Sequence, residues 1–267
     1  MMLNLLARLT SVELRLLAPA LPSAAGAFGG FSVEPLAHAR LLHEIKQLRL
    51  RDGKCFSVLP TTLCSMKPDT RDADSWHVVA VERSSGEVVG AIRLRLYSAH
   101  DSAPEGDDLF AYSDIAISDE AARSTIHRAL SDYVARQLSL CQHFYIIGGF
   151  IVAQRYRQSA LAAVLALSVN TWVARLNLHG GCTFVTIESG HCALDQRFGA
   201  FPLADERGEL GSFFCEAHQT QVKTLVTEPQ HYEPRLGATV SALEEHMRGC
   251  TVLLPAESFT PQIATFV

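Results

Sequence analysis

Residues 144–188 constrain this chain more than any other stretch. Phe144 to Val152 (FYIIGGFIV) is apolar on both alternating faces, so it has no side to offer to water and reads as a central strand. Arg157 to Leu178 follows as a long, strongly apolar helix, which Gly180-Gly181 ends. Cys182 to Glu188 (CTFVTIE) is rich in β-branched residues and reads as a second strand. Strand, helix and strand in that order form a βαβ unit, with both strands parallel in one sheet and the helix packed across them. A chain of 267 residues, 48% of them hydrophobic, can bury a core around such a unit.

The flanking sequence supplies further elements. The N-terminal run MMLNLLARLTSVELRLL has apolar residues at helical spacing, and Pro19 to Phe31 is small, Gly-rich and Pro-rich. An N-terminal helix and linker over 1–31 and a main body over 32–267 are therefore expected. Leu36 to Arg51 reads as a helix with one basic face, and His77–Glu82 with Glu87–Tyr97 as a hairpin across Arg83-Ser84-Ser85-Gly86. In the second of these strands Arg93, Arg95 and Tyr97 share a face. Leu109 to Ile117 looks extended, and Ser118 is placed to cap a helix running to about Leu140, with Asp119 and Glu120 in its first turn. Beyond Pro202, strands are expected at Ser212–Ala217 and Val222–Val226, and a helix at Ser241–Arg248.

Charge and cysteine usage narrow the function classes. A net charge of −5 argues against a nucleic-acid binder, which needs clustered Lys and Arg. Seven scattered cysteines with no C-x-x-C pair read as reduced thiols of a cytoplasmic protein. Arg8, Glu13 and Arg15 interrupt the N-terminal apolar run, so no integral membrane span is expected there.

The loop between the central strand and the long helix carries the most chemistry. A helix start offers free N–H groups and partial positive charge, which suit a phosphate, and Arg155 and Arg157 stand beside it. This segment, Val152-Ala153-Gln154-Arg155-Tyr156-Arg157-Gln158-Ser159-Ala160-Leu161-Ala162, resembles the strand-loop-helix motif of the GCN5-related N-acyltransferase superfamily. That motif has the form Arg/Gln-x-x-Gly-x-Gly/Ala after a Val-x-Pro-x-(Tyr/Phe)-Arg approach; here Ala160 stands where the family usually has Gly, and Gln154 where it often has Pro. The Val88-Val89-Gly90 pattern with Arg93 and Leu94, the strand Thr183 to Glu188, and Phe198-Gly199-Ala200-Phe201 stand in the order of that family, so the resemblance covers roughly 36–203. The helix Leu36 to Arg51, followed by Asp69, Asp72, Asp74 and His77-Val78-Val79, is similar to the opening of the N-acyl amino acid synthase and autoinducer synthase branch.

What the resemblance implies is an α/β acyltransferase fold, with a mixed, twisted central sheet flanked by helices, and a C-terminal extension over 204–267. It implies transfer of an acyl group from a pantetheine thioester, on coenzyme A or an acyl carrier protein, to the amine of a small molecule such as an amino acid, without a metal. Phe150, Ile151 and Val152 would offer backbone donors to the thioester oxygen. Arg155, Arg157, Gln158, Ser159, Ala160, Leu161 and Ala162 would hold the phosphate end of the donor, where the methyl of Ala160 crowds a pyrophosphate more than glycine would. Glu188, His191 and Asp114 are the candidate bases. The family's general-acid tyrosine has no counterpart: counted back from Gly199, its place falls on Asp195. A non-catalytic module that binds acyl thioesters or a carrier protein is the alternative. The absence of a G-x-S-x-G elbow speaks against a serine hydrolase.

Overall fold

The computed structural model describes residues 10–19, 30–52, 70–98, 104–113, 115–141, 143–175, 178–188, 190–228 and 236–255. The described residues begin with β1 (Val12–Leu17), β2 (Phe31–Val33) and α1 (Pro35–Asp52). A short α2 (Thr70–Ala73) leads into the hairpin β3 (Trp76–Glu82) and β4 (Val88–Ser98). Next come α3 (Gly106–Tyr112), α4 (Glu120–Cys141) and β5 (His143–Val152). Then α5 (Leu161–Arg175) crosses to β6 (Gly181–Thr186), and α6 (His191–Arg197) and β7 (Ala200–Pro202) follow. The remainder holds β8 (Ala204–Asp205), β9 (Gly208–Glu209), β10 (Phe213–Cys215), β11 (Thr220–Thr227), α7 (Gly237–Arg248) and β12 (Val252–Leu254).

Ten strands make one mixed sheet in the order β10-β11-β6-β5-β4-β3-β1-β12-β2, with β7 pairing on β11. The strands β5 and β6 are parallel neighbours, as the strand-helix-strand reading expects, and β12 is parallel to both β1 and β2. The other pairings in this sheet are antiparallel. Helices cover both faces. A Cβ on Gly90 would touch Leu161 and Leu165 of α5, so α5 lies on the Gly90 face of β4. Arg93, an odd number of residues along β4, points to the opposite face and reaches Asp72 of α2 and the Tyr112 carbonyl of α3.

One cluster of buried residues joins α1, α5 and α7 through β1, β3, β4 and β12. Another joins α3 and α4 to β5, β6, β10 and β11. Trp76 and Trp172 meet edge to face, with centroids 5.9 Å apart, inside the first cluster. No helix among the described residues is long and apolar enough to cross a membrane.

Three expectations change. Residues 12–17 are a strand rather than part of an N-terminal helix: Val12, Leu14 and Leu16 are buried while Glu13 and Arg15 are half-exposed, and β3 supplies the long-range partner that propensity cannot see. Residues 1–9, and 20–29 of the expected linker, lie outside the described residues, and Phe31–Val33 is the edge strand β2. Residues 106–112 are the helix α3 instead of an extended run: the side chains of Glu105 and Asp108 form a reciprocal capping box, and Leu109, Phe110 and Tyr112 are buried. The helix after it is capped by Asp119, whose Oδ1 accepts from the N–H groups of Ala121 and Ala122, one residue after the expected Ser118.

Trp172 fills the space between α5 and β3, so Trp172→Ala is expected to cost roughly 3–5 kcal/mol through the cavity it leaves. The midpoint of urea unfolding checks this.

Candidate functional site

β5 and β6 are joined only over Tyr145–Ile147 and Gly181–Thr183. Past that point β5 continues to Val152, still paired with β4, while Phe184 to Thr186 of β6 pair with β11. The two parallel strands have therefore parted company. The cause is in β5. Two steps along β4, from Ala91 to Arg93, match three along β5, from Ile151 to Gly148, so β5 carries one extra residue. Gly149 holds the bulge at φ +57, a left-handed conformation that side chains rarely adopt.

A buried ionic cluster sits against this bulge. Arg49 of α1 donates to both carboxylate oxygens of Asp72, at 2.9 and 2.7 Å, and to the carbonyl of Gly149 at 3.2 Å. Arg93 donates to Asp72 at 2.9 Å and to the Tyr112 carbonyl at 2.9 Å, and its guanidinium lies 4.5 Å from the Tyr112 ring centroid. Burial opposes the ionisation of Asp72, yet the surrounding positive charge, that of Arg49 above all, holds its carboxyl well below the usual range. His77, fully buried, donates from Nε2 to the Asp72 carbonyl (2.8 Å), and desolvation pushes its pKa down to about 4, so it is neutral at pH 7. The basic face of β4 is thus partly a structural pin. The carboxylate partner of Arg93 is Asp72; Asp114, a candidate base, lies outside the described residues.

At the open end of β5 the chain makes a 3₁₀ turn over Gln154–Tyr156 before α5 starts at Leu161, four residues later than the sequence predicts. The Ser159 hydroxyl accepts from the N–H of Leu161 at 3.1 Å, and the Ala160 carbonyl accepts from the N–H of Val164. Gln158 and Ser159 are exposed, Ala160 and Ala162 half-buried, and Leu161 buried. Arg155 faces away, toward Glu87 (2.8 Å) and Glu82 (3.3 Å), with the Tyr156 hydroxyl also on Glu82 at 2.7 Å. Arg157 stays by the loop, donating to the carbonyls of Val152 and Asp52, while the Asp52 carboxylate takes the N–H of Gln154. The structure thus holds Arg157 between the end of β5 and the end of α1, and engages Arg155 in surface ion pairs.

The opposite wall of the gap comes from α6, which packs on β6 and β7 and is tied to α5 by a hydrogen bond from Asn170 to the Phe198 carbonyl. The ring of His191 meets Phe150 of the open part of β5, centroid to centroid at 5.0 Å. Desolvation, with help from the charge of Arg157, lowers the His191 pKa. Glu188 is exposed in the turn before α6. Four residues after His191, on the same face of the helix, stands Asp195, whose carboxyl burial raises to about 7. Among the proposed bases, then, His191 meets the open part of β5, and Glu188 is exposed in the turn that precedes α6.

Sequence reasoning did not single out Arg49 as a site residue, and it named Asp72 only within an acidic run. The signal for either was a charge on an otherwise buried face. Among the described residues no group of three His, Cys, Asp or Glu could hold a metal ion.

No family model matches the sequence, and no curated protein matches it. Similar solved structures include FeeM, an N-acyl amino acid synthase from uncultured soil microbes, with TM-score 0.48, 10% identity, and 82% of this chain and 91% of that chain covered. Arabidopsis thaliana NAA60 in complex with a bisubstrate analogue has TM-score 0.47 and 13% identity, over 81% of this chain and 98% of that one. A mosquito arylalkylamine N-acetyltransferase like 5b has TM-score 0.46 and 15% identity, over 82% of this chain and 100% of that one.

Removing the carboxylate of Asp72 takes an ion-pair partner from both Arg49 and Arg93. Asp72→Ala is therefore expected to cost about 3–5 kcal/mol, measured by denaturant unfolding at pH 7.

Proposed function

We propose that this chain is an N-acyltransferase of the GCN5-related kind, which moves an acyl group from a pantetheine thioester to the amine of a small molecule such as an amino acid. The observation that carries this reading is the gap between β5 and β6, open toward a helix start and walled by a neutral imidazole. An extended thioester lying in the gap would place its carbonyl oxygen against the backbone N–H groups of Phe150–Val152, the part of β5 that has left β6. Preorganised donors of that kind stabilise the negative charge that develops on the oxygen during attack.

The rest of the donor follows from the loop. Residues 153–162, with the N–H groups at the start of α5 and the guanidinium of Arg157, suit the phosphate end. Both coenzyme A and a carrier protein present that chemistry. The methyl of Ala160 narrows the space beside a pyrophosphate, which favours a carrier-borne phosphopantetheine and the N-acyl amino acid synthase branch. Reaction in the cytoplasm agrees with this donor.

His191 serves as the base. A neutral imidazole can take the proton that the attacking amine must lose, and its lowered pKa keeps it neutral at pH 7. Glu188 and Asp114 are the next candidates.

The test follows free thiol release from acyl-coenzyme A and from acylated carrier protein, with mixed amino acids as acceptors. His191→Gln is expected to lower turnover about 100-fold with little change in donor binding. Arg157→Glu is expected to weaken donor binding by roughly 2 kcal/mol, as a charge-assisted contact becomes a repulsion. Binding of a donor without thiol release would instead identify a non-catalytic thioester-binding module, and full turnover in His191→Gln would move the base to Glu188 or Asp114.

A further inference from the structure

The peptide unit between Gly149 and Phe150 is the least constrained point of β5. Ala91 pairs with Ile151 and Arg93 with Gly148, so Gly149 and Phe150 together oppose Ile92, and neither takes a register partner in β4. On the other side, the pairing with β6 has already ended at Ile147. Gly149 adds its own freedom: at φ +57 and without a Cβ, its backbone tolerates rotations that a side chain would forbid. The sheet by itself therefore leaves the tilt of this peptide plane open.

Arg49 of α1 sets the tilt. Its Nη1 donates to both carboxylate oxygens of Asp72, at 2.9 and 2.7 Å, and its Nη2 donates to the Gly149 carbonyl at 3.2 Å. The guanidinium is itself anchored: the side chains of Arg49 and Asp72 are only 12% and 7% exposed, and Arg93 of β4 holds the same carboxylate. Every peptide bond among the described residues is trans. In a planar trans unit the N–H points opposite to the C=O. A Gly149 carbonyl held toward Arg49 therefore aims the Phe150 N–H away from the ionic cluster. Arg93 places that cluster on the sheet face opposite α5, whereas the Phe150 side chain packs in the cluster that holds α5 and meets the ring of His191. The same bond polarises the unit, because a carbonyl drawn toward a guanidinium makes its amide N–H a stronger donor.

From this geometry we infer that Arg49 is a positioning residue for acyl transfer, which through the plane of one peptide aims the Phe150 N–H at the thioester oxygen. The inference rests on the acyl-transfer reading above. Arg49 acts on the reacting carbonyl only through that N–H.

Two variants test it. Arg49→Lys keeps a charge for Asp72 with one nitrogen in place of the fork, and Arg49→Ala removes the fork altogether. The full chain and both variants, labelled with ¹⁵N-phenylalanine, receive an acyl-N-acetylcysteamine carrying ¹³C at its carbonyl, first without and then with amino acids. Without acceptor, the donor is expected to shift the Phe150 amide signal of wild type and to lower its own carbonyl stretching frequency, and both effects should shrink in the variants. With acceptor, kcat is expected to fall about 10- to 100-fold while KM stays within about twofold, as a misaimed oxyanion donor loses much of its effect. Methylguanidinium added to Arg49→Ala should restore kcat, and methylammonium, of equal charge, should not. Full kcat in both variants, a loss in KM alone, equal rescue by the two cations, or failure of both variants to fold would overturn the assignment of Arg49. Absence of transfer by wild type would overturn the acyl-transfer reading itself, and this assignment with it.

Discussion

One extra residue in β5, set against β4 at Gly149, is the constraint from which the geometry of the gap follows. A bulge increases local twist and re-aims the strand that carries it. Before the bulge, β5 is held on both sides, by β4 and β6; after it, β4 alone remains. Had the register run through without the slip, β6 could have paired on to Val152, and the backbone of Phe150–Val152 would be consumed in the ladder. The bulge needs glycine for two reasons: its positive φ, and the guanidinium of Arg49, into which a Cβ at this position would project.

That guanidinium links the bulge to the charge pattern of the opposite sheet face. Arg49 comes from α1, Asp72 from α2 and Arg93 from β4, so three separate elements converge where β5 deforms. Such a cluster is costly to desolvate and does little for net stability compared with apolar packing. It does specify one arrangement, because any shift of α1 or β4 breaks an ion pair to Asp72. On the other face, the same desolvation acts on His191 and Asp195 with opposite sign, lowering one pKa and raising the other. Both groups are thereby moved toward the neutral form, Asp195 by burial and His191 by burial with the charge of Arg157.

Much of the architecture was legible in the order of apolar runs. FYIIGGFIV could only be an inner strand, and the long apolar segment after it could only be a crossover helix, which set β5 beside β6. The hairpin β3–β4 was equally legible from its period-two pattern and its turn. The N-terminal segment was not. Val12, Leu14, Leu16 and Leu17 fit a helical stripe and a strand comparably well, and the choice fell to β3 and β12, which offer hydrogen-bond partners from distant sequence. Local pattern carries no information about such partners. The same is true of 106–112, where a capping box and burial on α4 outweighed a run that looked extended.

For the candidate site, the sequence alone determined that a strand, a loop with arginines and a helix start stand in line, and that His191 follows the second strand closely. These are relations between neighbours along the chain, fixed by spacing. Only the tertiary structure decided that Arg155 turns to Glu82 and Glu87 while Arg157 stays at the loop, that Arg49 and Asp72 meet 23 residues apart, and that His191 reaches Phe150. It also decided that the carboxyl of Asp195 is half-buried, which raises its pKa, since desolvation depends on what the fold stacks over a side chain. Charge and solvent exposure belong to three-dimensional surroundings, and one-dimensional order does not encode them.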